Sequence, residues 1–210
     1  MNAPETYEVF AIRYGTVTSR MRRDNFIITP SHPIDLHDSE MPLDYFVWAV
    51  RNENRTIVVD TGFERTEGDK RGRTITRLPC EGLEIMGIDA AKIEDVIITH
   101  LHYDHAGTLD DFPAARFHLQ ESEMNYATGK HMCHEPFGHA YAPDHICTMV
   151  RRVFDGRVMF HDGAAEIAPG ISVHWIGGHT AGVQCVRILT KRGWVVLASD
   201  ASHFYENMEG

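Results

Sequence analysis

The stretch Thr99 to Gly107 reads THLHYDHAG, which places His100, His102, Asp104 and His105 within six residues. Imidazole and carboxylate together suit zinc, and iron or manganese less selectively. So many donors in so short a run form a metal signature rather than a chance cluster. In an extended chain alternate residues point the same way, so His100, His102 and Asp104 are expected on one side. A turn at Ala106 and Gly107 would bring His105 round beside them. Four ligands so close in sequence do not wrap one tetrahedral ion comfortably. Two adjacent ions fit better, with His100 and His102 facing one and Asp104 and His105 the other. Such a pair needs further ligands, including an anion shared by both ions. The segment GGHTAG offers His179 in a Gly-rich turn, and LASDAS offers Asp200 at the end of an apolar run.

The other histidines among the 14 carry less signal. His32, His37, His118, His161 and His174 read as ordinary core or surface residues. His131, His134, His139 and His145 match no zinc spacing. The cysteines Cys80, Cys133, Cys147 and Cys185 form no C-x-x-C pair and read as reduced thiols of a cytoplasmic protein.

These donors need strands to hold them. YEVFAIRYG, LDYFVWAV, RTIVVDTG, EDVIITH, RFHLQ, ISVHWIGG, VQCVRILT and WVVLASD are rich in β-branched and aromatic residues and end in turn formers. TIVVD, DVIIT and WVVLA are continuous apolar runs, which predicts strands covered on both faces. Helices are predicted over Thr74 to Gly87, over Gln120 to Gly129 with Gly129 as its C-cap, and over Asp144 to Phe154. The order implies a layered α/β fold with sheets inside and helices outside, in a single domain spanning 1–210. The segment from His131 to Asp144 is expected to be a long irregular excursion of the kind that walls a binding site.

Composition narrows the function classes. The 210 residues carry a formal net charge of −10, with 43% hydrophobic and 24% charged residues. So acidic a chain is a poor partner for nucleic acid or an anionic membrane. Its one basic cluster, Arg20, Arg22 and Arg23, reads as a solvated loop. No apolar run is long enough to span a bilayer, and no signal peptide is expected. The oligomeric state is not fixed by the sequence, and a homodimer is compatible with it.

The motifs VVDTG (58–62), THLHYDHAG (99–107), GGHTAG (177–182) and ASDAS (198–202) together resemble the metallo-β-lactamase superfamily. Within it the chain is most similar to the N-acyl homoserine lactonase group, through MPLDYFVWAV before Asp60 and ASDASHFYENME after Asp200. The resemblance implies an αββα metallo-β-lactamase sandwich with metals at one edge of the sheets. It assigns His100, His102 and His179 to the first ion, Asp104 and His105 to the second, and Asp200 to both. Asp60 would steady the histidine loop, or simply end its strand in a turn. Two departures stand out. Lactonases of this group usually carry a tyrosine where this chain has His203, with Tyr205 two residues further on. The final histidine ligand and the closing helices and strand have no counterpart before Gly210, so the chain reads as C-terminally incomplete.

The expected activity is metal-dependent hydrolysis of a lactone, the chemistry of quorum quenching, with two divalent ions, Zn2+ foremost, as cofactors. Two ions roughly 3.5–4 Å apart would lower the pKa of a shared water from about 15.7 toward 7, and the resulting hydroxide would attack the carbonyl. Asp104 or His203 would shuttle the proton. The partner is then a small-molecule lactone or ester, its tail lying near Met132, Phe137 and Tyr141. Rival readings are a glyoxalase II-like thioesterase, which would want basic residues near the site, a phosphodiesterase, a mononuclear iron dioxygenase, and a non-catalytic homologue.

Overall fold

A computed structural model describes residues 5–26 and 38–209. His32 and His37 lie outside the described residues. The chain runs β1 (Glu8–Val17), β2 (Leu43–Arg51), β3 (Thr56–Val59), α1 (Arg65–Lys70), β4 (Thr74–Ile75), α2 (Pro79–Ile85), β5 (Asp95–Ile97) and β6 (Arg116–Gln120). It continues through α3 (Glu121–Ala127), α4 (Glu135–Gly138), α5 (Pro143–Phe154), β7 (Val158–His161), β8 (Ala165–Ala168), β9 (Ile171–Trp175), β10 (Gln184–Thr190), β11 (Gly193–Leu197) and α6 (Glu206–Glu209).

The strands form a seven-stranded sheet in the order β4-β1-β2-β3-β5-β6-β7 and a four-stranded sheet in the order β11-β10-β9-β8. The strands β3, β5, β6 and β7 run parallel, and the rest pair antiparallel. Period-two alternation sends one face of each strand to a different core. Val50, Ile57, Val59 and Ile97 meet Ile171, Val173, Val186 and Ile188 between the sheets. Tyr14, Val47, Val58, Val96 and Phe117 turn the other way, toward Leu83, Ile146 and Met149 of the helical layer. The layered α/β architecture expected from the motifs is thus present as facing sheets with helices outside the larger one.

All eight predicted strands form. The ones the sequence did not announce are short: β4, β7 and β8 carry only two to four residues each. Three expectations need correction. The predicted helix from Thr74 opens instead as strand β4, and α2 begins only at Pro79. A proline disfavours helical backbone in the residue before it and is well suited to the first helical turn. Thr128 rather than Gly129 holds the C-cap of α3, and Gly129 has a negative φ of −90°. Among the apolar runs, β3 and β5 are buried, but β11 is the edge of its sheet. There Trp194 is 49% and Val196 55% exposed, with no described helix over that face. The excursion from 131 to 144 contains a 3-10 turn and the short α4.

Candidate metal centre

Strand ends in both sheets converge on one place. Asp60 follows β3, Thr99 and His100 follow β5, Asp200 follows β11, and His179 sits in the β9–β10 connection. Two of these exits use rare backbone: Asp60 has φ 62° and Ser199 has φ 49°. Left-handed backbone in non-glycine residues marks positions that the surroundings over-determine. The histidine run itself is not extended. The N–H groups of His105 and Ala106 both donate to the His102 carbonyl, at 3.1 and 3.2 Å, and curl the segment. The alternation argument is corrected to a turn, which still gathers the rings: the His100 centroid is 4.6 Å from that of His102, edge-on, and 4.0 Å from that of His105, tilted.

The structure brings all six expected metal residues together. One ligand atom each from His100, His102, His179 and Asp200 lies within 4.8 Å of the others. His102 Nδ1 is 3.0 Å from His179 Nε2, and Asp200 Oδ2 is 3.2 Å from His179 Nε2. On the other side of Asp200, its Oδ1 is 3.4 Å from His105 Nε2, which is 3.8 Å from Asp104 Oδ2. His203, expected as a proton carrier, contacts Asp200 Oδ2 through Nε2 at 2.9 Å. Tyr205 is 76% exposed and takes no part. His131, His134, His139 and His145 form no metal-capable group among the described residues. His118 is paired with Asp95 and His161, and His174 with Ser172.

Thr99 organises the tautomers. Its hydroxyl donates to Asp60 Oδ2 at 2.8 Å and accepts from Ser199 Oγ at 2.8 Å. With that proton committed, His100 Nδ1, 3.2 Å away, must be the donor. His100 Nε2 is then a bare lone pair, in a side chain with 0% exposure and with no hydrogen-bond partner. An orphaned buried nitrogen beside two more imidazoles and a carboxylate fits a divalent cation. Asp60 also accepts from His105 Nδ1 at 2.7 Å and from the Thr99 N–H at 2.7 Å, so both readings of Asp60 hold at once.

Electrostatics follow from burial and crowding. Burial, then the neighbouring imidazoles, holds His100 well below the usual histidine value and lowers His102 to about 2, so both are neutral donors. Burial also opposes charge on His105, but the carboxylates of Asp200, Asp60 and Asp104 outweigh it and raise His105 well above 6.5. Burial raises Asp104. Asp200 falls well below 3.8, because His105, His179 and His203 overcome the burial penalty. The hydrogen bond to Asp200 raises His203.

Several supporting residues had no sequence signal. Glu123, fully buried at the start of α3, accepts from Leu101 N–H at 2.9 Å, Thr180 Oγ1 at 2.6 Å, Gly182 N–H at 2.9 Å and Tyr141 Oη at 3.1 Å. One carboxylate thereby ties the His100–His102 loop to the His179 turn. A Cβ on Gly182 would lie 2.3 Å from the Glu123 nitrogen, which explains the last glycine of GGHTAG. Tyr141 packs edge-on to His102 at 4.6 Å and is buried, so it props a candidate ligand rather than meeting a substrate tail. Of the three residues expected to meet such a tail, Phe137 lines the adjoining cavity, while Met132 packs against the helical core. Arg20, Arg71 and Arg73 line that cavity too. Arg20 is therefore not part of a merely solvated loop, and basic residues do stand near the site.

Two facing sheets with a His/Asp group at their shared edge, buried at His100 and His102 and open at His179, define a class, the metal-handling α/β sandwich hydrolases. The sequence model of the metallo-beta-lactamase superfamily matches residues 41–210, and the chain belongs to that superfamily. It is 25% identical over 202 residues to an N-acyl homoserine lactonase of Bacillus cereus, covering 88% of this chain and 72% of the relative. The crystal structure of a quorum-quenching N-acyl homoserine lactone lactonase superposes with a TM-score of 0.76 at 23% identity, over 99% of this chain and 79% of that one. An N-acyl homoserine lactone hydrolase with the product N-hexanoyl-L-homoserine at its catalytic metal center gives 0.73 at 21% identity, over 98% and 79%. Family and site together make the chain a metal-dependent hydrolase.

Proposed function

We propose that the chain opens a lactone of the N-acyl homoserine lactone kind, using two divalent cations, zinc by the donor set. The observation that carries the reading is the His100–His102–His179–Asp200 group with its unpartnered buried nitrogen. His100, His102 and His179 would hold the first ion, Asp104 and His105 the second, and Asp200 both. When bound, such ions supply Lewis acidity and an activated water. The chain's own residues do the rest. Asp60 and Thr99 hold the His100 and His105 rings in their tautomers. His203, whose protonated form the hydrogen bond to Asp200 favours, stands where it can give a proton to the departing ring oxygen, and Asp104 is the alternative carrier. The lactonase of Bacillus cereus and the product-bound lactone hydrolase support the substrate class.

The test is turnover of a panel of lactones by the zinc-loaded protein and by Asp200→Ala, with metal content measured on both. Two zinc ions per chain and lactone opening in the parent, both lost in a folded Asp200→Ala variant, are expected. One iron per chain with oxygen uptake, or unchanged turnover in the variant, would contradict the reading.

A further inference from the structure

We propose that the substrate's acyl arm ends in an anionic group, a carboxylate or phosphate, gripped by Arg20 and Arg73. The inference rests on the hydrolase reading above and names the substrate class more narrowly. A cavity of about 800 Å³ opens directly off the metal-capable group, shares His102, His179 and Asp200 with it, and is also lined by Asp104 and His203. That volume suits a small organic ligand. Its lining also carries Arg20, Arg71 and Arg73, in a chain whose net charge is −10.

The three arginines are not equivalent. Arg71 is fully engaged: Nε donates to Glu67 at 2.6 Å, Nη1 donates to the His139 carbonyl at 2.7 Å, and the guanidinium lies 4.0 Å from the Tyr103 ring centroid. Arg73 is half-buried, and its Nε donates only to the neutral hydroxyl of Tyr103 at 3.3 Å. Arg20 gives Nη2 to the Asp24 backbone carbonyl at 3.0 Å, and its Nε is buried with no partner. Among the described residues no carboxylate lies within 4.0 Å of either guanidinium. Of the wall carboxylates, Asp24 accepts instead from the Met21 N–H at 2.9 Å, and Asp104 and Asp200 stand at the metal-capable end, facing His105 at 3.8 and 3.4 Å. Partly desolvated cations are costly unless a counter-charge completes them. Guanidinium is also the side chain whose fork matches a carboxylate or phosphate. Tyr45 and Tyr103, which also line the cavity with hydroxyls 3.2 Å apart, add neutral polar groups beside Arg73. The reaction is unchanged by this grip: water adds across the ring C–O bond, giving a carboxylate, an alcohol and one proton.

Three matched probes test it with the zinc-loaded protein: N-hexanoyl-homoserine lactone, N-adipoyl-homoserine lactone, and the six-carbon analogue ending in phosphate. The expected result is a kcat/KM at least about tenfold higher for one of the two anionic probes, expressed in KM and weakened by salt. Arg73→Ala and, separately, Arg20→Ala should shrink that preference about tenfold, and Arg73→Lys should restore part of it. Equal kcat/KM for the neutral and anionic probes, or a preference untouched by either variant, would overturn the proposal. Adipate and inorganic phosphate binding, measured calorimetrically on parent and variants, decides it without turnover. Arginine-dependent binding of either anion supports the proposal, and no such binding overturns it. Failure to open any lactone overturns the lactonase reading instead.

Discussion

Thr99 shows how much of this site depends on groups that never touch a reacting atom. One hydroxyl, donating to Asp60 and accepting from Ser199, decides which nitrogen of His100 is free. Asp60 does the same for His105. The expected outcome for Asp60→Asn is a folded protein, since asparagine tolerates a φ of 62°. Its amide cannot accept at both positions, so zinc affinity should fall about 10–100-fold, as for other groups that orient ligands. Competition against a chelator of known affinity measures it, and an unchanged affinity would refute the role. At this scale the sequence spoke clearly for His100, His102, Asp104, His105, His179 and Asp200, because their side chains have few other reasons to cluster. It gave no role to Glu123, Thr99 or Arg73 and misread Arg20 as solvated, because these residues matter only through neighbours that the sequence does not reveal.

At the scale of elements, the site depends on how tightly turns approach helices. Gly182 lets the His179 turn lie on the first residues of α3, where an added Cβ would come within 2.3–2.5 Å of Glu123 atoms. Gly182→Ala should therefore cost about 1–3 kcal/mol of stability by overpacking and weaken zinc binding in parallel, read from denaturant unfolding with and without zinc. Zinc affinity at the parent level would show that this contact does not position His179. A second element prediction concerns the edge of the larger sheet. His161 of β7 lies 3.1 Å from His118 of β6, whose other nitrogen meets Asp95 of β5 at 3.1 Å. Burial, then the neighbouring His118, depresses His161 below its ordinary 6.5. The unfolded chain therefore takes up that proton first, and stability is lost as pH falls from 6.5 into the depressed range. His161→Gln should flatten this part of the thermal-midpoint profile, and an unchanged profile would exclude the cause. The long alternating or apolar strands were legible because their period is strong. Strands β4, β7 and β8 were not, because they borrow their order from partners. Pro79 carried the true start of α2, yet apolar spacing from Ile75 to Met86 masked it.

At the scale of the whole molecule, the two sheets share one apolar interior while the larger sheet carries a second core beneath its helices. That arrangement fixes strand ends from both sheets at a common edge, which is how residues as distant as 60 and 200 come to surround the same imidazoles. The layered architecture followed from element order and motif resemblance. The exposed outer face of β11 did not, since an apolar run alone cannot say whether a strand lies inside a sheet or at its edge. The central claim is that this edge is a metal centre on which hydrolysis depends. The most direct measurement is a zinc titration of the metal-stripped protein, with bound zinc per chain and lactone opening read on the same samples. Activity should be absent without metal, rise in step with bound zinc and vanish again on chelation. Undiminished lactone opening by the metal-stripped chain, or failure to retain zinc at all, would contradict the account.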